Sequence, residues 1–292
     1  MMRKFWIWAI ASFFLRLMVT AINLQGNKPL FAADYPEQLS QSHHQDRPIA
    51  TPLSAQPPKM AVKGELVNYG MINNQQITGY IARPANQNKP LPALIVIHEW
   101  WGLNDNIKAM TERLAGEGYV ALAVDLYQGK VADNPQKARE LVTNAFANSE
   151  QLKDNIRLAY QYLDRQEKAP KIGTIGWCFG GHWSLKTALL FPQEIDATVI
   201  YYGGNLETNP EILQPLEMPI LGIFGALDQN PSVAQVKQFQ QSLESFNKPV
   251  EIYIYEDADH AFANPSGTRY KATAAADAWE KTVSFLGKNL QN

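Results

Sequence analysis

Gly176-Trp177-Cys178-Phe179-Gly180-Gly181 is the stretch that decides the fold of this 292-residue chain. The preceding Lys171-Ile172-Gly173-Thr174-Ile175 is a short, mainly apolar run with the character of a buried strand, and residues 182–190 carry a helical pattern. Cys178 therefore falls on a strand-to-helix turn, which presents its side chain at the edge of a sheet. The glycines at 176 and 180 fit that turn. A non-glycine residue held at positive φ needs neighbours without a Cβ if the strand and the helix are to approach. A free cysteine is ordinarily a small buried hydrophobe; these flanks instead make Cys178 a candidate nucleophile.

Working outward, Leu91-Pro92-Ala93-Leu94-Ile95-Val96-Ile97-His98 is a continuous apolar run, as expected of a central strand covered on both faces. Apolar residues at 107, 110 and 114 then give a helical spacing closed by Gly116 and Gly118, and a strand follows over residues 119–124. This is a βαβ unit. Ahead of it, residues 65–69 and 76–82 alternate about Asn73-Asn74, predicting an antiparallel hairpin at a sheet edge. Two helical stretches lie between residues 134 and 168. The second opens near Asn148, with Gln151 as its capping partner, and carries Leu152, Ile156, Ala159, Tyr160 and Leu163 on one face. Further strands are expected at 197–202, 219–225 and 250–255, with helices at 232–246 and 270–286. Strands alternating with helices specify a doubly wound, mostly parallel α/β sheet with right-handed crossovers.

Composition fits one large core, with 46% hydrophobic residues and 11% aromatics. A net charge of −2, with both signs spread along the chain, supplies no basic field for nucleic acid and favours a small-molecule substrate. The single cysteine cannot form an internal disulfide. Residues 1–22 resemble a targeting leader: Arg3 and Lys4 precede an apolar stretch, and Val19-Thr20-Ala21 or Ala32-Ala33 could mark cleavage. Arg16 shortens the run, so a cleaved signal peptide and an uncleaved anchor both remain open. Export is expected, with membrane contact through this leader only, and the chain is expected to act as a monomer. Residues 23–60, with prolines at 29, 36, 48, 52, 57 and 58, are expected to be a disordered linker to a domain at 61–290. His43-His44 is accordingly expected to be solvated, since neither a cysteine nor a carboxylate cluster accompanies it in sequence.

Ligands of doubly wound sheets gather at the carboxyl ends of the strands. Four stretches end strands here: His98-Glu99-Trp100-Trp101-Gly102, Cys178, Gly225-Ala226-Leu227-Asp228, and Asp257-Ala258-Asp259-His260-Ala261-Phe262. A thiol at neutral pH needs a base within reach, and that base needs a group to fix its tautomer. His260 and Asp228 fit those roles, in the chain order nucleophile, acid, histidine. His98 and His182 are rival bases with better structural explanations; Asp257 and Asp259 are rival acids that would need a tight local turn to reach the far ring nitrogen. The amides of Phe179 and Trp100 are the candidate donors to a developing oxyanion. Trp101, paired with Trp100, is a candidate wall of an apolar substrate pocket.

With His98-Glu99-Trp100-Trp101-Gly102-Leu103-Asn104, Asp125-Leu126-Tyr127, the cysteine turn, Tyr201-Tyr202-Gly203, Gly225-Ala226-Leu227-Asp228 and His260-Ala261-Phe262 in this order, the chain resembles the dienelactone hydrolase family. The resemblance implies an α/β-hydrolase fold without a cofactor or metal, and a Cys178–His260–Asp228 triad. It further implies Glu99 as the group that deprotonates Cys178, and lactone opening through a thioester. Tyr127 belongs to the expected substrate site. The family holds a substrate carboxylate with two arginines. Arg139 is the candidate for the first, whereas the second position is Asn264, which cannot pair bidentately with a carboxylate. Arg269, on the neighbouring loop, either compensates in part for the missing arginine or caps or solvates the last helix, the second being the expectation.

Overall fold

The computed structural model describes residues 30–48 and 56–292, with side chains from residue 35. The leader expected at residues 1–22 lies outside the described residues. No helix among those described is long and apolar enough to cross a membrane.

Eight strands form one sheet: β1 (Val62–Ile72), β2 (Gln75–Pro84), β3 (Ala93–Ile97), β4 (Val120–Val124), β5 (Ile172–Trp177), β6 (Ala197–Tyr201), β7 (Ile220–Gly225) and β8 (Val250–Tyr255). Their spatial order is β1-β2-β4-β3-β5-β6-β7-β8. The β1–β2 and β2–β4 pairs are antiparallel and all others parallel. Asn73 and Asn74 make the hairpin turn at positive φ, 50° and 62°, a conformation asparagine tolerates better than most residues. Every residue of β3 to β7 is buried, which explains why these strands are continuous apolar runs in the sequence.

The helices are α1 (Leu30–Ser42), α2 (Asp105–Ala115), α3 (Pro135–Ala147), α4 (Ser149–Arg165), α5 (Phe179–Leu190), the short α6 (Pro210–Leu213), α7 (Val233–Glu244) and α8 (Ala272–Leu290). On one face α4 and α5 pack against each other and on the central strands; on the other lie α2 and α8, joined by the Arg113 guanidinium 3.7 Å over the Trp279 ring. The cap expected at Asn148 differs. Its side chain makes no cap hydrogen bond to the following helix, because its amide is turned back to the carbonyl of Asn144, at the end of α3.

The larger correction concerns the expected linker. Residues 30–42 are helical, and Tyr35 and Leu39, one turn apart, are buried against the core. The segment lacks the apolar content to order by itself; docking on α3 supplies what local composition does not. His43 is buried with it, 2% exposed, rather than solvated.

Cys178 joins β5 to α5 at φ 58°, ψ −117°. The turn is held by its amide donating to the Tyr201 carbonyl at 3.0 Å and its carbonyl accepting from the His182 amide at 3.1 Å. A Cβ at Gly176 would sit 2.1 Å from the Gly180 carbonyl oxygen, and one at Gly180 would sit 2.2 Å from that of Ile97. Both neighbours are backbone, so neither position can accept a side chain without moving strand and helix apart. Gly180→Ala is expected to destabilise the fold by about 1–3 kcal/mol or more. Urea unfolding monitored by circular dichroism checks this; an unchanged midpoint would show that the close approach is dispensable.

Candidate active site

The parallel strands end together and bring three of the four predicted stretches onto Cys178. Asp228, in the turn after β7, accepts from His260 Nδ1 at 2.7 Å, and its other oxygen accepts from the Asn230 amide at 2.8 Å. A ring nitrogen of His260 lies within 4.8 Å of the Cys178 sulfur, and Nε2, left free by the Asp228 bond at Nδ1, is buried without a hydrogen-bond partner. Cys178, His260 and Asp228 are 1%, 3% and 4% exposed. Burial disfavours the imidazolium, but the Asp228 carboxylate and the Cys178 sulfur outweigh it and hold His260 well above its ordinary range.

The rivals have other partners. Asp259 accepts from the His260 main-chain amide at 2.6 Å, and the Asp257 side chain is 81% exposed beside Lys271. His98 places Nδ1 2.6 Å from the Glu99 carbonyl, and its Nε2 accepts from the Leu126 amide at 3.2 Å. His182 is tied to the Gly204 carbonyl, and burial lowers it to about 3. Both rings are structural.

Glu99, beyond the end of β3, is 4% exposed. Burial pushes its carboxyl up to about 7; His260 opposes the rise, Asp46 adds to it, and the Asn264 amide, donating to Oε2 at 2.5 Å, restrains it. Trp100 packs against Trp101, with ring centroids 4.8 Å apart, and both side chains are buried. Among the described residues, neither the Trp100 nor the Phe179 N–H donates to a backbone oxygen outside regular helix and strand pairing. The Tyr127 ring packs on His98 and Phe179, and the Tyr202 ring packs on His260. The hydroxyls of Tyr127 and Tyr202 are buried and unpartnered.

One predicted substrate contact is not where the sequence put it, and a second is at the site with its amide already engaged. Arg139 is half-exposed on α3 and pairs with Glu37 of α1, away from the thiol, because α3 turns this position toward the docked segment. Asn264 is at the site but spends its amide on Glu99. Arg269, expected to cap or solvate the last helix, instead donates to Asp46 at 2.6 Å.

Asp46 belongs to the segment that sequence reasoning set aside, and that segment closes the site. His43 stands with its ring centroid 4.8 Å from His260 and 4.9 Å from Trp100. Its Nδ1 lies 2.6 Å from Asp46 Oδ2, while Thr268 donates to Oδ1 at 2.9 Å. Desolvation lowers His43 to about 4 despite Asp46, so the ring is neutral at pH 7. Tyr35 packs beside His182, and burial with the nearby Cys178 and Asp228 raises its phenol well above the ordinary value. The one sequence signal for this docking was the Tyr35/Leu39 spacing of one helical turn. Between α1 and the loops carrying Asp228 and His260 remains a cavity of about 670 Å³, lined in part by Leu39, Asn205, Leu227 and Arg269. A larger cavity of about 910 Å³ lies between α2 and α8, and neither a cysteine nor a histidine lines it.

The sequence pattern of the "Dienelactone hydrolase family" matches residues 77–290, so residues 30–48 precede the matched region. The chain is 35% identical over 249 residues to a "Putative carboxymethylenebutenolidase" of Saccharolobus solfataricus, covering 72% of this chain and 93% of that protein. It is also 35% identical over 234 residues to "Protein usf" of Aquifex pyrophilus, covering 78% and 99%. A crystal structure titled "Putative Dienelactone Hydrolase" from Klebsiella pneumoniae superposes with a TM-score of 0.71 at 28% identity, covering 78% of this chain and 99% of that one.

Glu99 titrates near 4.5 when unfolded and near 7 when folded. Between these values the folded chain keeps a proton that the unfolded chain has released. The stability linked to this proton is therefore fully present below pH 4.5 and is lost as pH rises through about 7. Melting curves across this window should show wild-type Tm falling relative to Glu99→Gln. Parallel curves would mean that Glu99 does not titrate as a buried acid.

Proposed function

The chain belongs to the dienelactone hydrolase family and is a hydrolase, and from that premise we propose that it opens a lactone or cleaves an activated ester through a thioester on Cys178. The observation that carries this reading is the alignment of the Cys178 sulfur, the His260 ring and the Asp228 carboxylate. The thiol stands at a positive-φ turn, with a ring nitrogen of His260 within 4.8 Å and the Asp228 carboxylate fixed to Nδ1 at 2.7 Å.

In the proposed cycle the substrate displaces His43 and the sulfur attacks the acyl carbon, its single proton taken up by Glu99 and passed on to His260. The carbonyl π pair moves onto oxygen, which the Trp100 and Phe179 amides receive; a donor of this kind contributes about 3 kcal/mol to the transition state. The tetrahedral intermediate collapses with cleavage of the C–O bond, and the protonated His260 gives its proton to the departing alkoxide. In a lactone that alcohol stays tethered to the acyl group. Water then attacks the thioester carbon, losing a proton to His260, and the C–S bond breaks to release the acid and restore the thiol. Asp228 holds the tautomer that leaves Nε2 free to accept.

The arginine departures narrow the substrate. Arg139 is committed to Glu37 and Asn264 to Glu99, so neither supports the bidentate grip that would be worth about 1.5–3 kcal/mol for a substrate carboxylate. This favours neutral lactones and small aryl or acyl esters. Cys178→Ala should abolish turnover of a lactone and aryl-acetate panel while leaving the melt intact. Cys178→Ser should retain only weak activity, because a hydroxyl is far harder to deprotonate than a thiol. Within the panel, kcat/KM for a lactone bearing a carboxylate should not exceed that of its neutral analogue. Retained activity in Cys178→Ala would remove the thiol from the mechanism, and a preference of about tenfold or more for the carboxylate would show that a cation holds it.

A further inference from the structure

His43, His260 and Cys178 come from three separate parts of the chain, and the two imidazole nitrogens and the sulfur lie within 4.8 Å of one another, all buried. The two histidines share one feature, although Nδ1 of His43 also lies 2.5 Å from the Arg269 guanidinium, a contact with no counterpart at His260. Each places Nδ1 against a buried carboxylate, Asp46 at 2.6 Å and Asp228 at 2.7 Å, and each leaves Nε2 buried without a partner. A carboxylate behind Nδ1 and a bare Nε2 in front is the arrangement that orients a histidine toward a metal and raises its basicity as a ligand. The hydrolytic reading uses one such histidine; it has no use for the second.

We propose that Cys178, His260 and His43 form a zinc(II) site, completed only when residues 35–48 are docked, and that zinc bound there holds the site shut. The donor set of one thiolate and two imidazoles suits a borderline-soft divalent ion and leaves a fourth, tetrahedral position for water. Zinc–ligand bonds of about 2.0–2.3 Å put neighbouring donor atoms about 3.3–3.7 Å apart, so the cluster must close by about 1 Å. His43, carried on a segment held by docking, can supply that movement. Asp46 and Asp228 stand behind the ligands; the Arg269 guanidinium, which also touches Nδ1 of His43, is balanced by Asp46 at 2.6 Å and Asp259 at 3.8 Å. On binding, zinc displaces the proton of the Cys178 thiol, while Nε2 of His260 binds it through its free lone pair. One proton leaves to solvent, S–Zn and N–Zn bonds form, and no redox change is involved. Both groups needed for hydrolysis are then ligands, and Nε2 of His43 ties α1 over them. The metal site itself stands on geometry; only its inhibitory effect rests on the proposed thioester reaction.

The test uses the full chain, freed of metal, titrated with zinc(II) and separately with cobalt(II), without substrate. The expected result is one metal ion per chain, and a thiolate-to-cobalt charge-transfer band in the near ultraviolet that Cys178→Ser removes. His43→Ala should weaken zinc by at least roughly 10–100-fold, and Asp46→Asn, acting from behind the ligand, by about 10-fold. Zinc should inhibit the wild type at the concentration that fills the site. If His43→Ala melts abnormally, His43→Gln is read by the same criteria. Equal zinc affinity in wild type and the folded His43 variant, or a cobalt spectrum without a sulfur band, would overturn the proposal. A failure of hydrolysis with metal binding intact would instead count against the proposed reaction alone.

Discussion

A cysteine forced to φ 58° between a strand and a helix is the constraint on which the rest of the structure depends. That conformation is costly for a residue with a Cβ, on the order of 1–3 kcal/mol, and persists only where the surroundings over-determine it. The over-determination is visible in the backbone oxygens of Gly180 and Ile97, which crowd the places where side chains at 176 and 180 would begin. The sheet supplies the rest. Parallel pairing of β5 with β6 and of β6 with β7 sets the ends of these strands side by side, so the residues that follow them converge without any long-range adjustment. The sulfur is thus placed by topology, and its chemistry follows from what the neighbouring strand ends carry.

Those neighbours form an unusual concentration of buried ionisable groups. Asp228, His260, Glu99, His43 and Asp46 are all buried. Such a group is tolerated where a partner compensates its lost hydration, and the pairings here are specific: Asp228 with His260, Asp46 with His43 and Arg269, Glu99 with Asn264. What is left over is equally specific. The Nε2 atoms of His43 and His260 and the hydroxyls of Tyr35, Tyr127 and Tyr202 are buried with no partner, clustered about the sulfur. Unmet hydrogen-bonding capacity gathered in one place is what a binding site presents before its ligand arrives. Docking of residues 35–48 makes the site closed as well as polar, with the Cys178 side chain 1% exposed.

Much of this was legible in the sequence. The apolar runs at 91–98 and 172–176, the Asn73-Asn74 turn and the glycine-flanked cysteine are local signals, each strong enough to fix an element and its neighbours. Asp228 and His260 could be named because the end of a parallel strand is a predictable place. The N-terminal segment was not legible, for a physical reason. A stretch rich in proline and glutamine has too little apolar surface to order alone, and what orders residues 30–48 is a surface made by distant parts of the chain, at α3 and the 268–269 loop. Arg139 failed for a related reason: periodicity places it on a helix, while the direction of its side chain depends on a partner, Glu37, in the segment that had been set aside. His43 carried no signal that distinguished it from His44, one residue on, which is exposed.

The central claim is that acyl transfer passes through the one thiol of the chain, Cys178. Its most direct test is the intact mass of the protein after acid quenching within the first turnover of a chromogenic ester, followed by peptide mapping. The account predicts one acyl group per chain, on the peptide that contains Cys178 and labile to hydroxylamine as a thioester is. Rapid turnover with no acylated species at any quench time, or an acyl group on another residue, would contradict it.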